Sequence, residues 1–398
     1  MILKLAWRNI WFKPLNTILS IILLASSVAI ITVLILLQKQ FEEQFSKNAD
    51  NIDLVLGAKG SPLQLVLSSV YQVDAPTGNI NFKEAQTWMK NPFVKTAIPL
   101  AFGDNYLGFK IVGTTPAYLN QFNSKIQSGK IFDKNFEVVI GSEIAKKLNI
   151  KIGDSFFGSH GDAKEGEKHE ENKYIVVGIA SATGKVIDNL ILSNIESVWA
   201  MHNENDHEHE AENHEEDKEI TAVLLKFRNK MGIVLWPRLI AQNTQMQAAS
   251  PAIEINRLFS LFGIGLQALQ YLAFGIMFIS GISIFVALYN SLKERKYEFA
   301  ILRVNGASRI QLLTLVLIES LVLCFIGYIF GTIIGRIVLV FISKSSENEF
   351  KMTFNPLEFV WNLEGILVLV TIFVGVLAAL IPALKAYTIN ISKTLANA

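Results

Sequence analysis

The histidines are the residues best suited to metal chemistry, and all six fall in two polar stretches, 158–172 and 202–219. Both stretches are rich in Glu, Asp, Lys and His, so we predict solvated loops. A weak Zn²⁺ or Cu²⁺ site could be formed by four of the histidines: His202, His207, His209 and His214. Their spacing matches no zinc motif, and a solvated acidic loop is the favoured interpretation.

The residues needed to bind and hydrolyse ATP are not found. The chain lacks a Gly-x-x-x-x-Gly-Lys-[Ser/Thr] phosphate-binding loop, and its nearest dipeptide, Gly184-Lys185, is followed by Val186. A Gly-x-Ser-x-Gly elbow is also missing, and the single cysteine, Cys324, lies in an apolar run. The sequence therefore does not predict an enzyme.

A charged segment, 291–310, could instead bind a partner. Tyr297, Ile301 and Val304 fall on one stripe of a short predicted helix, which Gly306 is expected to end. Such a helix could insert into a groove on another protein. It could equally be a basic anchor beside the membrane, and the residues alone leave both interpretations open.

Glu319 and three glycines lie in an apolar stretch of the chain. A carboxylate is costly in hydrocarbon unless it is paired, so we predict a packing or coupling role for Glu319 near the inner leaflet. Gly327, Gly331 and Gly335 share one helix face that permits close approach of another backbone. This face could meet the fourth span, a second protomer or lipid, and we favour packing within the chain.

The elements that position these residues are four apolar segments, each long enough to cross a bilayer. Their boundaries are 18–37, 263–290, 311–342 and 363–384. The chain is 51% hydrophobic, which also favours a membrane protein. A cleaved signal peptide is the alternative for the first segment, but its apolar run is too long and no small-residue cleavage site follows it.

Basic residues give the expected orientation. They cluster in 1–17, 291–310 and 385–398, which the positive-inside rule places in the cytoplasm together with both termini. Apolar and basic residues at helical spacing predict that 1–17 is an amphipathic helix on the inner leaflet. The segment 38–262 and the short loop 343–362 then lie outside. The formal net charge of +1 gives no field that would attract nucleic acid.

The outer segment, 38–262, shows the alternation of short strands and helices that is typical of a mixed α/β domain. We predict strands at 109–112, 138–140, 174–179 and 222–227, and helices at 83–89, 142–148 and 193–199. The stretch 237–257 is expected to be helical and to lead into the second span. The glycine-containing stretch 53–71 could contact a substrate or a second protomer, or could be a structural turn and helix.

Within 293–309, the placement of Glu298, Leu302, Gly306 and Ala307 resembles the coupling-helix signature of the FtsX-like permeases, the MacB-type class of ABC transporters. The basic helix before the first span, the acid and glycines of the third span, and the Pro-Ala ending of the fourth agree with this resemblance. The stretch beginning at Asp53 is similar to one subgroup of the family's periplasmic core domain.

The resemblance implies an α-helical membrane protein with four transmembrane helices and a mixed α/β periplasmic core domain of the MacB type between helices one and two. Two cytoplasmic ATPase subunits would bind ATP and Mg²⁺, and this chain would bind no cofactor. It would pair with a second permease protomer, identical or related, in the bacterial inner membrane. The residues implied to contact the ATPase are Glu294, Arg295, Tyr297, Glu298, Ile301, Leu302 and Arg303.

The function implied first is ATP-driven export or extraction of an amphiphile such as a lipid, lipoprotein, peptide or drug, by movement transmitted to the outer domain. The second is a mechanical relay that moves no substrate and controls an extracytoplasmic partner such as a cell-wall hydrolase. The third, which we rank last, is a metal-binding or metal-sensing protein that uses the His-rich loops.

Overall fold

A computed structural model describes four ranges of the chain: 2–159, 168–203, 218–350 and 353–389. The chain divides into two compact units. The helical unit consists of Met1–Phe41 and Phe262–Ala398, and the sheet unit consists of Glu42–Leu261. Each is described by itself below.

The described α-helices differ widely in length, from five to forty-four residues. In chain order they are α1 (Ile2–Ile10), α2 (Pro14–Ala49), α3 (Pro62–Val70), α4 (Phe82–Met89), α5 (Ala117–Gln121), α6 (Ser142–Leu148), α7 (Ile195–Asn203), α8 (Met231–Asn243), α9 (Pro251–Glu294), α10 (Lys296–Val304), α11 (Arg309–Phe350) and α12 (Trp361–Tyr387).

The described β-strands all lie between α2 and α9. They are β1 (Leu54–Ala58), β2 (Ile80–Asn81), β3 (Val94–Tyr106), β4 (Phe109–Gly113), β5 (Ile126–Gly129), β6 (Glu137–Ile140), β7 (Ser155–Ser159), β8 (Lys168–Ala180), β9 (Ile191–Ser193), β10 (Glu219–Ile220), β11 (Ala222–Phe227) and β12 (Met246–Ala249).

Four of these helices, α2, α9, α11 and α12, are long and apolar enough to cross a membrane. Each predicted span lies inside one of them. The first spanning helix, α2, begins earlier than the predicted residue 18. It begins at Pro14, because proline is favoured in the first turn of a helix. The predicted helix over 1–17 is therefore two helices, separated at residues 11–13. The predicted loop 343–362 is also shorter, since α11 continues to Phe350 and α12 begins at Trp361.

The glycine face of α11 packs against α2. A Cβ atom at Gly331 would lie 2.8 Å from the carbonyl oxygen of Ala25, and one at Gly335 would lie 2.9 Å from that of Ala29. Only glycine permits so close an approach of two backbones. The structure agrees with the predicted packing within the chain, but the neighbour is the first span instead of the fourth.

The sheet unit contains one large mixed sheet with the strand order β12-β1-β11-β3-β4-β9-β6-β8-β5, and β7 pairs with β3 and β8. Two neighbouring pairs in it, β4 with β9 and β6 with β8, are parallel. A small antiparallel sheet joins β2 and β10. Apolar side chains of the strands form two cores, one with α4, α7 and α8 and the other with α6. The mixed α/β prediction therefore holds.

Each predicted strand and helix of this unit overlaps an observed one, and 222–227 and 142–148 have the predicted ends. The prediction of a continuous helix over 237–257 is wrong. Helix α8 ends at Asn243, and Met246–Ala249 form an edge strand on β1 before α9 begins at Pro251. Proline disfavours helical backbone in the residue before it, which separates the two helices.

The stretch 53–71 has a structural role in the sheet unit. The carboxylate of Asp53 accepts a hydrogen bond from the backbone N–H of Phe227 (2.7 Å) and holds β1 beside β11. Leu65 and Val66 of α3 are fully buried. The stretch forms a strand as well as the predicted turn and helix, and most side chains of the strand and the helix are buried, whereas residues 59–61 between them are exposed.

Helix and strand residues occupy parts of both His-rich stretches that were predicted to be loops. Strand β8 already begins at Lys168, helix α7 continues to Asn203, and β10 begins at Glu219. Backbone hydrogen bonds to β7 and β2 extend these strands into sequence that composition alone assigns to loops.

Candidate docking surface

The charged segment between α9 and α11 folds as a short helix with defined ends. Helix α9 ends at Glu294 and α10 begins at Lys296. At the other end, Gly306 has φ +93° and its N–H donates to the carbonyl of Arg303 (3.2 Å). The N–H of Ala307 donates to the carbonyl of Leu302 (3.0 Å), which completes a glycine-terminated helix end. The predicted end of the helix agrees with this geometry.

Helix α10 has an inner and an outer face. Phe299 and Ala300 are buried in the core of the helical unit. On the outer face, Tyr297, Ile301 and Val304 are 50%, 39% and 62% exposed. Their spacing of four and three residues places them on one stripe. An exposed stripe of three large apolar residues on a short, well-anchored helix is suited to a helix-in-groove contact.

A buried polar network lies behind this stripe. The guanidinium Nη2 of Arg295 donates to Oδ1 of Asn9 (2.7 Å), and Asn9 Nδ2 donates to the carboxylate of Glu319. Arg295 Nη1 also lies 3.8 Å from Glu319 Oε1, and both side chains are only 6% exposed. The network joins α1, the α9–α10 junction and α11, so these three elements are held as one body.

One contact extends the network to the surface, and a separate ion pair lies beside it in the chain. Arg295 Nε donates to Glu298 Oε2 (2.8 Å), which fixes a carboxylate beside the exposed stripe. Lys13 forms a salt bridge with Glu294, and both side chains are nearly half exposed. The Arg295 guanidinium also lies over the rings of Phe12 (6.0 Å) and Phe299 (5.6 Å).

The residues that were expected to contact an ATPase therefore separate into two groups. Tyr297, Glu298 and Ile301 lie on the surface, and Glu294 is also exposed there. The expectation is corrected for Arg295, whose side chain is turned inward because Asn9 and Glu319 supply its partners.

Two further members of the expected set are only half exposed. Leu302 packs against the core of the helical unit. Arg303 donates from Nη1 to the carbonyl oxygen of Ala307 (2.5 Å) and so supports the end of α10. Both side chains position the helix more than they extend its outer face.

A second buried ion pair was not predicted. Arg336 Nη2 in α11 donates to both carboxylate oxygens of Glu364 in α12, at 2.9 and 3.0 Å. Its Nη1 donates to the carbonyl oxygens of Pro356 (2.6 Å) and Glu358 (2.9 Å) in the connecting loop. Arg336 thus holds the loop and both helices together. An arginine inside the predicted third span was the signal that could have found it.

The Gly184-Lys185 turn, the nearest sequence to a phosphate-binding loop, already holds an anion of the chain itself. The carboxylate of Asp188 accepts hydrogen bonds from the N–H groups of Thr183 (2.9 Å) and Gly184 (2.7 Å). The hydroxyl of Thr183 donates to the same carboxylate (3.0 Å). The N–H groups of Thr183 and Gly184 are therefore already used by Asp188, and the N–H of Lys185 donates to the hydroxyl of Thr183.

The predicted metal site cannot be described. His207, His209 and His214 and the side chain of His202 lie outside the described residues. Within the ranges that the structure does describe, no group of three or more His, Cys, Asp or Glu side chains could hold a metal ion.

Comparison with protein-family models gives two matches. Residues 15–230, more than half of the chain, match the MacB-like periplasmic core domain. Residues 271–391 match the FtsX-like permease C-terminal region. No curated protein matches the sequence.

Two solved structures are similar to part of the chain. The periplasmic region of MacB from Actinobacillus actinomycetemcomitans is 11% identical, with a TM-score of 0.35, and the match covers 54% of this chain and 96% of that one. The extracellular domain of the noncanonic ABC-type transporter YknZ from Gram-positive bacteria is 13% identical, with a TM-score of 0.33 over 50% of this chain and 99% of that one.

Proposed function

This chain belongs to the ABC transporter permease family that combines a MacB-like periplasmic core domain with an FtsX-like C-terminal region, and we propose that it couples ATP hydrolysis on a separate subunit to movement of its outer domain. The ATPase subunit binds ATP and Mg²⁺, and this chain supplies the membrane helices. Two ATPase copies serve two permease protomers, which are identical or related chains.

The observation that carries the proposal is the exposed stripe of α10. Tyr297, Ile301 and Val304 present apolar surface that a groove on the ATPase covers, and Glu298 adds a charge at its edge. Apolar and aromatic side chains that are buried at the centre of a contact contribute most of its binding free energy. A basic anchor beside a membrane requires only positive charge, so it does not account for three exposed apolar side chains on one face of α10.

The buried network supports a mechanical role for this helix. Because Arg295 is tied to Asn9 and Glu319, a displacement of α10 moves α1 and α11 with it. A buried ion pair whose two partners are both hydrogen-bonded to a third residue resists separation of the elements that carry it, so the displacement is passed on as a rigid-body motion. We propose that nucleotide-driven closure of the ATPase acts on the spans in this way.

The proposed setting is the bacterial inner membrane, with both termini and α10 in the cytoplasm and the sheet unit in the periplasm. Basic residues around α1, α10 and the end of α12 support this orientation. The proposed cargo is an amphiphile, such as a lipid, lipoprotein, peptide or drug, which is exported or extracted from the outer face of the membrane. Family membership supports this class of substrate.

The test is co-purification of the full-length chain with the ATPase encoded beside its gene. Ile301→Asp changes the outer face of α10 without touching its core, and Glu298→Arg reverses the charge beside the stripe and removes the acceptor of Arg295 Nε. We expect each change to weaken ATPase binding roughly tenfold or more, the size of a strong interface contact. Val234→Asp is the matched control, since it places the same charge on an exposed aliphatic position of α8.

Retention of the ATPase by the Ile301→Asp variant would contradict docking through α10. Failure of the wild-type chain to retain any ATPase would contradict the proposed function altogether. If the ATPase binds but an extracytoplasmic protein co-purifies in fixed proportion and no amphiphile is moved, the relay without a substrate replaces the exporter.

A further inference from the structure

Three lysines and a tyrosine lie at the ends of α9 and α12 and at the start of α10 in the helical unit. Lys385 Nζ donates to the hydroxyl oxygen of Tyr289 (2.9 Å) and lies 4.3 Å from the centre of its ring. Lys293 follows Tyr289 by four residues on α9, and Lys296 is the first residue of α10. All three lysine side chains are exposed, so this end of the helical unit presents four groups that can donate hydrogen bonds to an anion.

Among the described residues, no carboxylate forms an ion pair with a lysine of this cluster. Glu294, the acid nearest in sequence, pairs with Lys13, and Glu298 pairs with Arg295. In the described part of the chain, none of the three lysines has an ion-pair partner. Residues 282–293 and 374–389 contain no acidic residue at all. The cluster therefore has a net positive charge that nothing in the described structure compensates.

Apolar surface continues from the cluster along both helices. On α9, Ile282 and Val286 lie on the same face as Tyr289 and are 48% and 45% exposed. On α12, Leu377 and Ile381 precede Lys385 at intervals of four residues and are each 52% exposed. Each helix thus presents a stripe that changes from aliphatic to basic toward its charged end.

The two helices that carry the stripes touch at two places. A Cβ atom at Gly281 of α9 would lie 2.9 Å from Val374 of α12, so the helices touch just beyond the aliphatic ends of the stripes. At the other end, Tyr289 contacts Lys385. The helices are therefore in contact near both ends of the stripes.

We propose that this surface binds an anionic phospholipid, with the headgroup phosphate at Lys293, Lys296 and Lys385 and one acyl chain along the two aliphatic stripes. Charge complementarity selects the anionic headgroup, and basic clusters at the ends of spanning helices are suited to that recognition. The aliphatic stripes distinguish a lipid from a free anion, because a small anion gains nothing from them. Tyr289 accepts a hydrogen bond from the Lys385 ammonium and so positions it, and the Tyr289 hydroxyl donates a hydrogen bond to the phosphate.

The test uses the full-length chain purified in a neutral detergent. Bound lipids are counted by native mass spectrometry during titration with phosphatidylglycerol, and with phosphatidylcholine of the same acyl chains. The variant Lys293→Gln/Lys296→Gln/Lys385→Gln removes the three charges. Its matched control, Lys59→Gln/Lys90→Gln/Lys95→Gln, removes three exposed lysines from the sheet unit.

We expect the wild-type chain and the control to bind phosphatidylglycerol in preference to phosphatidylcholine, and the triple variant to bind it roughly tenfold or more weakly. Tyr289→Phe keeps the ring and removes only the hydroxyl, so it tests the site without altering charge, and binding several-fold weaker is expected. Equal binding of the two lipids, or unchanged phosphatidylglycerol binding by the triple variant, would overturn the proposal. Displacement of the lipid by inorganic phosphate would assign the site to free anions instead.

Discussion

The guanidinium of Arg295 and the carboxylate of Glu319 lie 3.8 Å apart in the interior of the helical unit, and Asn9 hydrogen-bonds to both. A buried ion pair of this kind is costly to break, because removal of one partner leaves the other charge without compensation. Its position behind the exposed stripe of α10 connects the stability of the fold to the presentation of that stripe. The first prediction follows from this connection.

Arg295→Leu leaves Glu319 buried without its cation. We expect the change to destabilise the protein by about 3 to 5 kcal/mol and to release the ATPase together with α10. The double variant Arg295→Met/Glu319→Leu has no buried charge and should recover most of the stability. Thermal unfolding in lipid nanodiscs measures both. Equal losses in the single and double variants would show that the charges are not paired.

Gly331→Ala and Gly365→Ala should change stability in opposite directions. A methyl group at Gly331 would meet the carbonyl oxygen of Ala25 at 2.8 Å, and we expect a loss of about 1 to 3 kcal/mol from the forced separation of α2 and α11. At Gly365 no atom lies within 4 Å, so alanine should stabilise α12 by up to about 1 kcal/mol. Thermal unfolding of the two variants, prepared in parallel, gives the signs. A stabilising Gly331→Ala would contradict the observed packing.

Arg336→Lys should be damaging although it keeps the charge. Arg336 donates to Glu364 with one end of its guanidinium and to Pro356 and Glu358 with the other, and an ammonium cannot reproduce this fork. We expect a loss of about 2 to 4 kcal/mol and faster cleavage of the connecting loop by added protease. Arg238→Lys, at an exposed position of α8, is the control. Cleavage at the wild-type rate would mean that the loop does not depend on the arginine.

Glu137 should contribute stability that depends on pH. A hydrogen bond from Lys130 (2.7 Å), and then one from the backbone N–H of Asp133 (2.9 Å), lower the pKa of Glu137 from 4.5 to about 2. Its contribution is therefore complete above pH 4.5 and disappears as the pH falls toward 2.

Glu137→Gln removes this dependence. At pH 7 the variant should be less stable than the wild type by about 1 kcal/mol, and the difference should shrink between pH 4.5 and pH 2. Tryptophan fluorescence during thermal unfolding, recorded from pH 7 down to pH 3, measures it. Glu196→Gln, an exposed change on α7, serves as the comparison. A difference that stays constant over this range would contradict the lowered pKa.

Features set by neighbouring residues could be predicted from the sequence. The spans follow from long, mainly apolar runs, because a segment that crosses lipid has to satisfy its backbone hydrogen bonds internally, as a helix does. The end of α10 follows from Gly306, which reaches the positive φ of the last turn without strain. The outer stripe of α10 follows from the helical period alone.

Features set by distant residues could not be predicted. Arg295 was expected at the surface, and its burial depends on Asn9, which is 286 residues away in sequence. Strand β12 has only four residues and is fixed by pairing with β1, so no local sequence pattern predicts it. The choice of α2 as neighbour of the glycine face depends on the arrangement of all the spans, which periodicity does not determine.

The glycine face of α11 also limits how the first and third spans can change during a working cycle. Packed interfaces usually slide when side chains between them exchange rotamers, and the contact of Gly331 and Gly335 with the carbonyl oxygens of Ala25 and Ala29 has no rotamers to exchange. We therefore expect the two spans to move together as one rigid body. Any hinge in the helical unit then has to lie between other helices. A cross-link between α2 and α11 should therefore leave the rate of ATP turnover by the complex unchanged.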